Sequence, residues 1–412
     1  MGSFTGRRLP WLAGPRWCSP APPCPRPWPC ATPGPITPSA TSTTGRACRP
    51  RPFAPMRPPA RPAAPDLYVC NLKKRTLLQD IARQLDVSIA TVSLVLNGKA
   101  KEHRISDALA ERVRRHVAQV GYRPNQLAKS LRTGKTHVIG LIIEDISNPF
   151  FATVAWLIEK QAFARGYRIL YGSTDNDPAK TRDLLTMFRE RHLDGYIIAP
   201  PAGVEKEIEA LLKSEIPTVL FDRYLPALPT DYIVVDGEAG AYQATAHLLA
   251  QGFTRVAFVS TESVQTQMNA RLHGYQRALR ERGLPPLVRR VPLALGGHHA
   301  PSVAELCRFL AEYPDCDAAL FANNSLTICA LEAVAELGLR IPQDLAIVSF
   351  DDNDLFRLYS PAITAVTQPV AALAEAAITV LLNQLGNAAA AERQQLTLPV
   401  SLLVRQSSRR VA

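Results

Sequence analysis

Along this chain the spacing of apolar positions changes twice. Residues 1–70 show almost no periodic apolar pattern. From Leu77 to Val120 apolar side chains recur every three or four positions, the period of amphipathic helices. Asp86-Val87-Ser88 interrupts the first run, and Asn97-Gly98 ends the second. The pattern predicts a helix opening at Thr76 through a capping box with Gln79, a second over 89–96 capped by Ser88, and a third capped by Ser106. Asp86 suits a turn position of positive φ, which Asp tolerates. From residue 137 the period shortens to near-continuous apolar runs: 138–143, 168–171, 195–199, 218–221, 256–259, 318–321 and 345–348. Helical stretches at 150–165, 179–191, 204–214, 239–251, 268–282 and 326–337 separate them. Such alternation predicts parallel sheets covered on both faces. The rhythm restarts after Asp236, so the body reads as two α/β lobes of similar length.

Charge divides the chain at the same places. The net charge of +11 is made of +8 in residues 1–70, +9 in 71–137 and −6 in 138–412. A small folded unit at +9 ahead of an acidic body is the footprint of a DNA-binding head, and two short helices joined by a tight turn have the helix-turn-helix layout. No run of about 18 apolar residues is present, so a spanning helix is not expected.

Residues 1–70 hold 18 of the 35 prolines and nine arginines. Such a tract buries too little apolar surface to offset chain entropy and is expected to be disordered. It lacks the continuous apolar core of a signal peptide. Two readings stand, a basic arm adding non-specific DNA affinity and an artefactual extension ahead of a start near residue 70; the second is favoured. Five of the eight cysteines lie in or at the end of this tract, where interleaved prolines and the lack of a nearby His argue against metal. Cys307, Cys316 and Cys329 lack ligand spacing and read as reduced thiols of a cytoplasmic protein.

In open α/β sheets ligands bind beyond the carboxyl ends of the strands. Polar residues gather at those ends: Asp145 and Asn148, Asp175, Asp222-Arg223, Asn323-Asn324 and Asp351-Asp352. Hydroxyl-rich ligands need carboxylate and amide partners, together with an aromatic face such as Phe150. Capping also favours Asp and Asn there, but five such ends are more than caps require.

From about Thr76 onward the chain resembles the lactose repressor family of bacterial transcription regulators. The head matches through Asp80-Ile81-Ala82, Val87-Ser88, Ala90-Thr91-Val92-Ser93 and Leu96-Asn97-Gly98. The hinge matches through Gly121-Tyr122-Arg123-Pro124-Asn125 and Ala128-Lys129-Ser130-Leu131-Arg132-Thr133-Gly134. The body matches through Asp145-Ile146-Ser147-Asn148-Pro149-Phe150-Phe151, Asp194-Gly195, Ala322-Asn323, Ser349-Phe350-Asp351-Asp352 and Thr367-Gln368-Pro369.

The resemblance implies a small all-α helix-turn-helix head plus a periplasmic-binding-protein-like α/β body of two lobes with parallel sheets. It also implies a homodimer on operator DNA controlled by a small-molecule, sugar-like effector, with no cofactor, metal or membrane. The expected domains are 1–70 as the extension, 71–121 as the head, 122–136 as the hinge and 137–412 as the effector-binding and dimerisation body. Within the body, the N-lobe takes about 137–235 and 368–395, and the C-lobe about 236–367 and 396–412.

Carried over by position, the resemblance places Ser88, Ile89, Ala90, Thr91, Ser93, Leu94 and Asn97 of the second helix at DNA. Ile89, Ala90 and Leu94 would meet base edges; being apolar, they can touch thymine methyls but cannot make bidentate hydrogen bonds. Completing the head's small core is the other reading of Ile89 and Leu94. More of the specificity is therefore expected from the hinge, from DNA shape and from loop 98–105, with Lys99, Lys101 and Arg104 as phosphate or base-edge contacts. In the hinge, Leu131 would wedge into the minor groove while Asn125, Lys129 and Arg132 hold neighbouring groups. The effector cleft would be formed by Asp145, Asn148, Phe150, Asp222, Arg271, Asn323, Asp351 and Gln368. Asn324 stands where an Asp is common.

Three alternatives are open at this stage. A periplasmic solute receptor would explain the body but not the head. An enzyme is disfavoured because the chain has no Gly-rich phosphate loop, no Gly-x-Ser-x-Gly elbow and no metal-ligand cluster. A protein coregulator could replace the small molecule. The chain after Arg405 is short and polar with no leucine heptad, so a dimer is expected rather than a tetramer.

Overall fold

The computed structural model describes residues 76–122, 130, 134–292, 299–386 and 392–410. The Pro/Arg-rich tract and the hinge residues Asn125, Lys129, Leu131 and Arg132 lie outside the described residues.

The head consists of α1 (Leu78–Gln84), α2 (Ile89–Leu96) and α3 (Asp107–Val120). Ile81, Ala82, Val92, Val95, Ala100, Ala110 and Val113 form its buried centre. The cap of α1 departs from the sequence expectation. Thr76 and Gln79 form no capping box; the helix begins one residue later, and Asp80 Oδ2 accepts from the Leu77 amide at 2.9 Å. A carboxylate is the better acceptor for an orphan amide at a helix start, where the dipole also favours negative charge. Ser88 caps α2, its Oγ accepting from Thr91 N at 3.0 Å, and Ser106 caps α3 in the same way at 3.3 Å. Asp86 adopts φ +53° in the tight turn. Arg112 Nη2 donates to Leu85 O at 2.8 Å and so pins α3 to the end of α1.

The body contains two six-stranded sheets. The first runs β2 (Arg168–Ser173), β1 (Val138–Ile143), β3 (Gly195–Ile198), β4 (Thr218–Phe221), β5 (Asp231–Val235) and β11 (Gln395–Leu398), all parallel. Helices α4 (Pro149–Ala164), α5 (Pro178–Glu190), α6 (Glu205–Lys213) and α12 (Val370–Gly386) belong to this lobe. The second sheet runs β7 (Leu287–Val291), β6 (Val256–Thr261), β8 (Ala318–Phe321), β9 (Ala346–Phe350), β10 (Thr364–Thr367) and β12 (Ser401–Leu403). Only β12 is antiparallel there. Helices α7 (Gly237–Ala250), α8 (Thr266–Glu281), α9 (Ala300–Glu312), α10 (Asn324–Leu337) and the short α11 (Asp354–Leu358) complete this lobe. At Gly274 an added Cβ would lie 2.1 Å from Glu238 O, so α8 can rest on α7 only because that residue has no side chain.

The chain passes between lobes three times: after β5, after β10, and between β11 and β12. The last passage falls after Leu398, about three residues later than the sequence reading put it, because residues 395–398 pair with β5 of the first sheet. The sequence pattern had not singled out β5, β7, β10, β11, β12 or helices α9, α11 and α12. The polar terminal segment belongs to the second lobe. Ser407 Oγ accepts from Thr364 N at 2.8 Å and donates to Ile347 O at 2.6 Å, while the Arg405 guanidinium grips Asp352 at 2.8 and 2.7 Å.

Candidate functional site

In both sheets the strand order reverses beside the first strand of the lobe, β1 in one and β6 in the other, and the crevice between lobes lies beyond those carboxyl ends. A cavity of about 480 Å³ occupies this crevice, lined by Glu144, Asp175, Asn176, Pro201 and Ala202 from the first lobe and Thr261, Glu262, Ser263, Val264, Gln265, Met268 and Asn323 from the second. A smaller one of about 220 Å³ lies against Phe150, Asp351, Asp352, Thr367 and Gln368.

Among the described residues, four side-chain contacts join the lobes here. Asn148, the cap of α4, and Asn324, the first residue of α10, exchange two hydrogen bonds, Nδ2 to Oδ1 in each direction at 3.3 Å. Gln265 Nε2 donates to Asn176 Oδ1 at 3.0 Å, Gln267 Nε2 to Asp222 Oδ2 at 3.4 Å, and Tyr224 N to Thr266 Oγ1 at 3.4 Å. The lobes are therefore held together across the crevice by neutral amides and hydroxyls meeting one carboxylate.

Each lobe brings one buried arginine. Arg271 of α8 is 2% exposed; it donates from Nη1 to Ala322 O at 2.5 Å, stacks its guanidinium on Phe350 at 3.8 Å, and lies 3.9 Å from Asp351. Arg223 is 1% exposed with Nη1 2.8 Å from Glu144 Oε2, an ion pair in which none of its side-chain nitrogens has an aligned protein acceptor. Gln267 Oε1 and Arg271 Nε are likewise buried without a protein partner. Burial pushes the Asp222 carboxyl up to about 6, against the pull of Arg223 and Arg271 and with further repulsion from Glu144 and Asp351. Asp351 is also raised by burial, while Arg271 and the 2.5 Å hydrogen bond from Gln368 Nε2 oppose the rise.

The structure thus brings Asp222, Arg271, Asp351 and Gln368 into one buried polar cluster, and Asn323 to the rim of the larger cavity. Asn323 also caps α10, accepting from Leu326 N at 2.8 Å. Three expected residues are partly committed elsewhere. Asp145 accepts from Ser147 N and Oγ at 2.8 and 2.7 Å in a local turn. Asn148 caps α4 as well as reaching Asn324. Phe150 is a buried core residue set edge-on to Phe151, and touches only the smaller cavity. Two of the polar strand ends that border the cavities are paired with cations, Asp175 with Lys180 and Asp352 with Arg405. Sequence reasoning did not assign Glu144, Asn176, Glu262, Gln265 or Gln267 to the site. Gln265 and Gln267 sit at the start of α8, in the same turn-to-helix stretch as Arg271, and that placement is the signal that could have found them.

In the head, Ile89 and Ala90 are exposed at the start of α2, Ile89 at 52%, so Ile89 does not complete the core; Leu94 is half-buried. Ser88 and Asn97 are exposed, while Thr91 and Ser93 are half-buried. Lys99, Lys101 and Arg104 are all exposed on the loop before α3. A reading helix with its first turn open and a basic loop beside it has the form needed to enter a major groove.

A helix-turn-helix head followed by a two-lobed, periplasmic-binding-protein-like body defines a class, the DNA-binding regulators that carry a ligand-sensing body. Family models agree: residues 77–125 match bacterial regulatory proteins of the lacI family, and residues 245–408 match the periplasmic binding protein-like domain. The HTH-type transcriptional regulator DegA of Bacillus subtilis (strain 168) is 32% identical over 346 residues, 81% of this chain and 98% of that protein. A solved complex of the transcriptional regulator CelR with cellobiose is 25% identical, with a TM-score of 0.60 over 81% of this chain and all of that one. The Lac repressor dimer bound to operator and the anti-inducer ONPF shares the fold at a TM-score of 0.71, with 24% identity over 81% of this chain and 99% of that one. The chain belongs to the lacI family of bacterial regulatory proteins and is a DNA-binding transcriptional regulator. Among the described residues no helix is long and apolar enough to cross a membrane, and no group of three His, Cys, Asp or Glu side chains could hold a metal.

Proposed function

We propose that this regulator is a repressor that binds a pseudo-palindromic operator as a homodimer in the cytoplasm, on the nucleoid, and that a small molecule in the interlobe cavity sets its DNA affinity. It turns over no substrate. The observation that carries the effector reading is the set of buried polar atoms without an aligned protein hydrogen-bond partner beside the crevice, on Arg223 (which ion-pairs with Glu144), Arg271 and Gln267. Each such group costs about 1–3 kcal/mol unless something satisfies it, and a hydroxyl-bearing ligand supplies both donors and acceptors. The cavity volume of about 480 Å³ suits a small molecule. Its lining offers Glu144, Asp175 and Glu262 carboxylates and Asn176, Gln265 and Asn323 amides, with no Lys or Arg. That lining favours an uncharged or cationic hydroxyl-rich effector, sugar-like in character, over a phosphorylated one.

The proposed effector residues are Asp222, Arg271, Asn323, Asp351 and Gln368, with Asp145, Asn148 and Phe150 shaping the wall. The proposed DNA contacts are Ser88, Ile89, Ala90, Thr91, Ser93, Leu94 and Asn97 of α2 and its ends, and Lys99, Lys101 and Arg104 of the loop. Ligand can drive the change only through its different affinity for the two lobe arrangements, and the coupling is reciprocal.

The test is selection of duplexes from the protein's own genome, followed by binding at fixed salt with and without ribose, cellobiose, glucosamine and ribose 5-phosphate. The expected result is a pseudo-palindromic site whose affinity changes with a neutral or amino sugar and not with the phosphate. Binding no better than to random competitor under every condition overturns the reading. A response to the phosphate alone overturns the charge argument.

A further inference from the structure

We propose that Asp194 is a positioning residue for operator binding: its carboxylate clamps the chain where the hinge enters the body. This extends the role the family gives the hinge to a residue in the body that touches neither DNA nor the crevice. Asp194 precedes β3, at the amino ends of the first-lobe strands and so on the side of that sheet away from the crevice.

Its side chain collects three donors from two consecutive residues. Oδ1 accepts from Thr136 N at 2.7 Å and lies 2.7 Å from Thr136 Oγ1, while Oδ2 accepts from His137 N at 2.9 Å. Thr136 Oγ1 is also 3.1 Å from His192 O, so its one proton is shared between two acceptors. Backbone bonds complete the grip. Asp194 N donates to Val138 O at 2.9 Å, and His137 O accepts from Arg168 N at 2.8 Å at the start of β2.

The backbone at this junction is bent against its preference. His137 holds φ +56°, and its ring lies 5.5 Å from that of Tyr167. A non-glycine residue in that region persists only where its surroundings over-determine it, and the carboxylate that takes its amide is such a surrounding. Gly134, two residues before the clamp, has φ +68° and donates its amide to Ser130 O at 2.7 Å. Only Lys135 therefore separates Gly134 from a backbone held on both sides.

The consequence is geometric. A dimeric reader gains from its second head only if the two heads are presented at the spacing of the half-sites. A chain that leaves the body in one direction keeps that presentation narrow; a loosened exit spreads it and lowers the effective concentration of the second head. Non-specific binding rests on phosphate charge and does not need the spacing.

The test is Asp194→Asn, which keeps size and shape. The Asn carbonyl oxygen can still take the Thr136 donors, but its amide then faces the His137 N–H, donor against donor. Affinity of the dimer is measured at one salt concentration for the duplex that wild type selects from random-sequence DNA and for a scrambled duplex. Amide hydrogen exchange is followed over residues 134–138. The expected result is faster exchange at His137 and an affinity for the selected duplex about tenfold weaker, the usual scale of coupling between distant sites. Affinity for the scrambled duplex stays within about twofold. Thr136→Val, which keeps Asp194 and removes only the hydroxyl, shifts both readouts in the same direction by less, and it carries the test if the Asn variant does not fold. Unchanged exchange shows that the carboxylate does not hold the junction. Faster exchange with selected-duplex affinity unchanged shows that the junction is not felt at DNA. An equal loss on both duplexes shows damage to the head rather than to its positioning. Each of these overturns the proposal.

Discussion

The two lobes share a strand order and each places an arginine and a carboxylate at its crevice, yet they use the pair differently. In the C-lobe, Arg271 is largely engaged: it donates to Ala322 O, stacks on Phe350 and faces Asp351, with only Nε lacking a protein acceptor. In the N-lobe, Arg223 meets Glu144 as an ion pair with no aligned acceptor, and Asp222 beside it is raised to about 6 by burial. One arginine is mostly built into its lobe, with a single nitrogen left for a ligand, whereas the other has all its side-chain nitrogens open to completion from outside. A buried ion pair is weak evidence for stability in itself, but removing one partner and leaving the other charge buried is costly.

That contrast can be broken by substitution. Arg271→Met should have the largest effect. It strands Asp351 in a buried site, so chemical denaturation should show a loss of about 3–5 kcal/mol. Arg223→Met should cost clearly less, because Glu144 is partly exposed and the raised Asp222 carboxyl takes up a proton more readily than an ordinary one, while the effector response is lost. Equal losses from the two variants would erase the distinction between the lobes.

A third experiment follows the Asp222 carboxyl. Its folded value, about 6, lies above the ordinary 3.8, so the native state holds the proton more tightly than the unfolded chain does. This stabilising contribution is complete below about pH 3.8 and is lost as pH rises through about 6. Asp222→Asn carries no charge at any pH and keeps an acceptor for Gln267. Its unfolding free energy relative to wild type should therefore climb between pH 5 and 7, and a flat difference over that range would show that Asp222 does not titrate there.

The smallest effect concerns the amide pair joining the lobes. Asn148→Ala removes a helix cap and should cost about 1 kcal/mol. Beyond that, a double-mutant cycle with Asn324→Ala should show coupling of about 0.5–1 kcal/mol between lobes. Purely additive losses would mean that the pair contributes nothing across the crevice.

Much of the architecture could be read before any coordinates. Ser88 and Ser106 act as caps because a side-chain oxygen and an amide three residues on meet within one turn, whatever surrounds them. The runs at 138–143, 218–221 and 318–321 are strands buried throughout or nearly so, as their continuous apolar character requires. The α1 cap failed at this same local level, where Asp80 outcompeted Gln79. Strands β11 and β12 were missed because exposed and half-buried positions blur their pattern, and what makes them strands is the sheet edge they form; β5 and β10 lie one strand further in.

The candidate site was legible only as a collection of polar strand ends. Which of them face the crevice was not. Asp145 turned to its own loop, Asp175 lines the cavity while pairing with Lys180, and Asp352 pairs with Arg405, whereas Asp222, Arg271 and Asp351 converged. The sequence by itself determined the cationic head, the beat of strands and helices, and the residue types available to a ligand, because these depend on groups a few positions apart. The tertiary structure alone decided that Asn148 meets Asn324 across 176 positions, that Asp194 seizes Thr136 across 58, and that Gln267 reaches Asp222 across 45. Those pairings depend on how sheets stack and where the chain crosses between lobes, and no local pattern encodes a contact whose partners meet only after the sheets have formed.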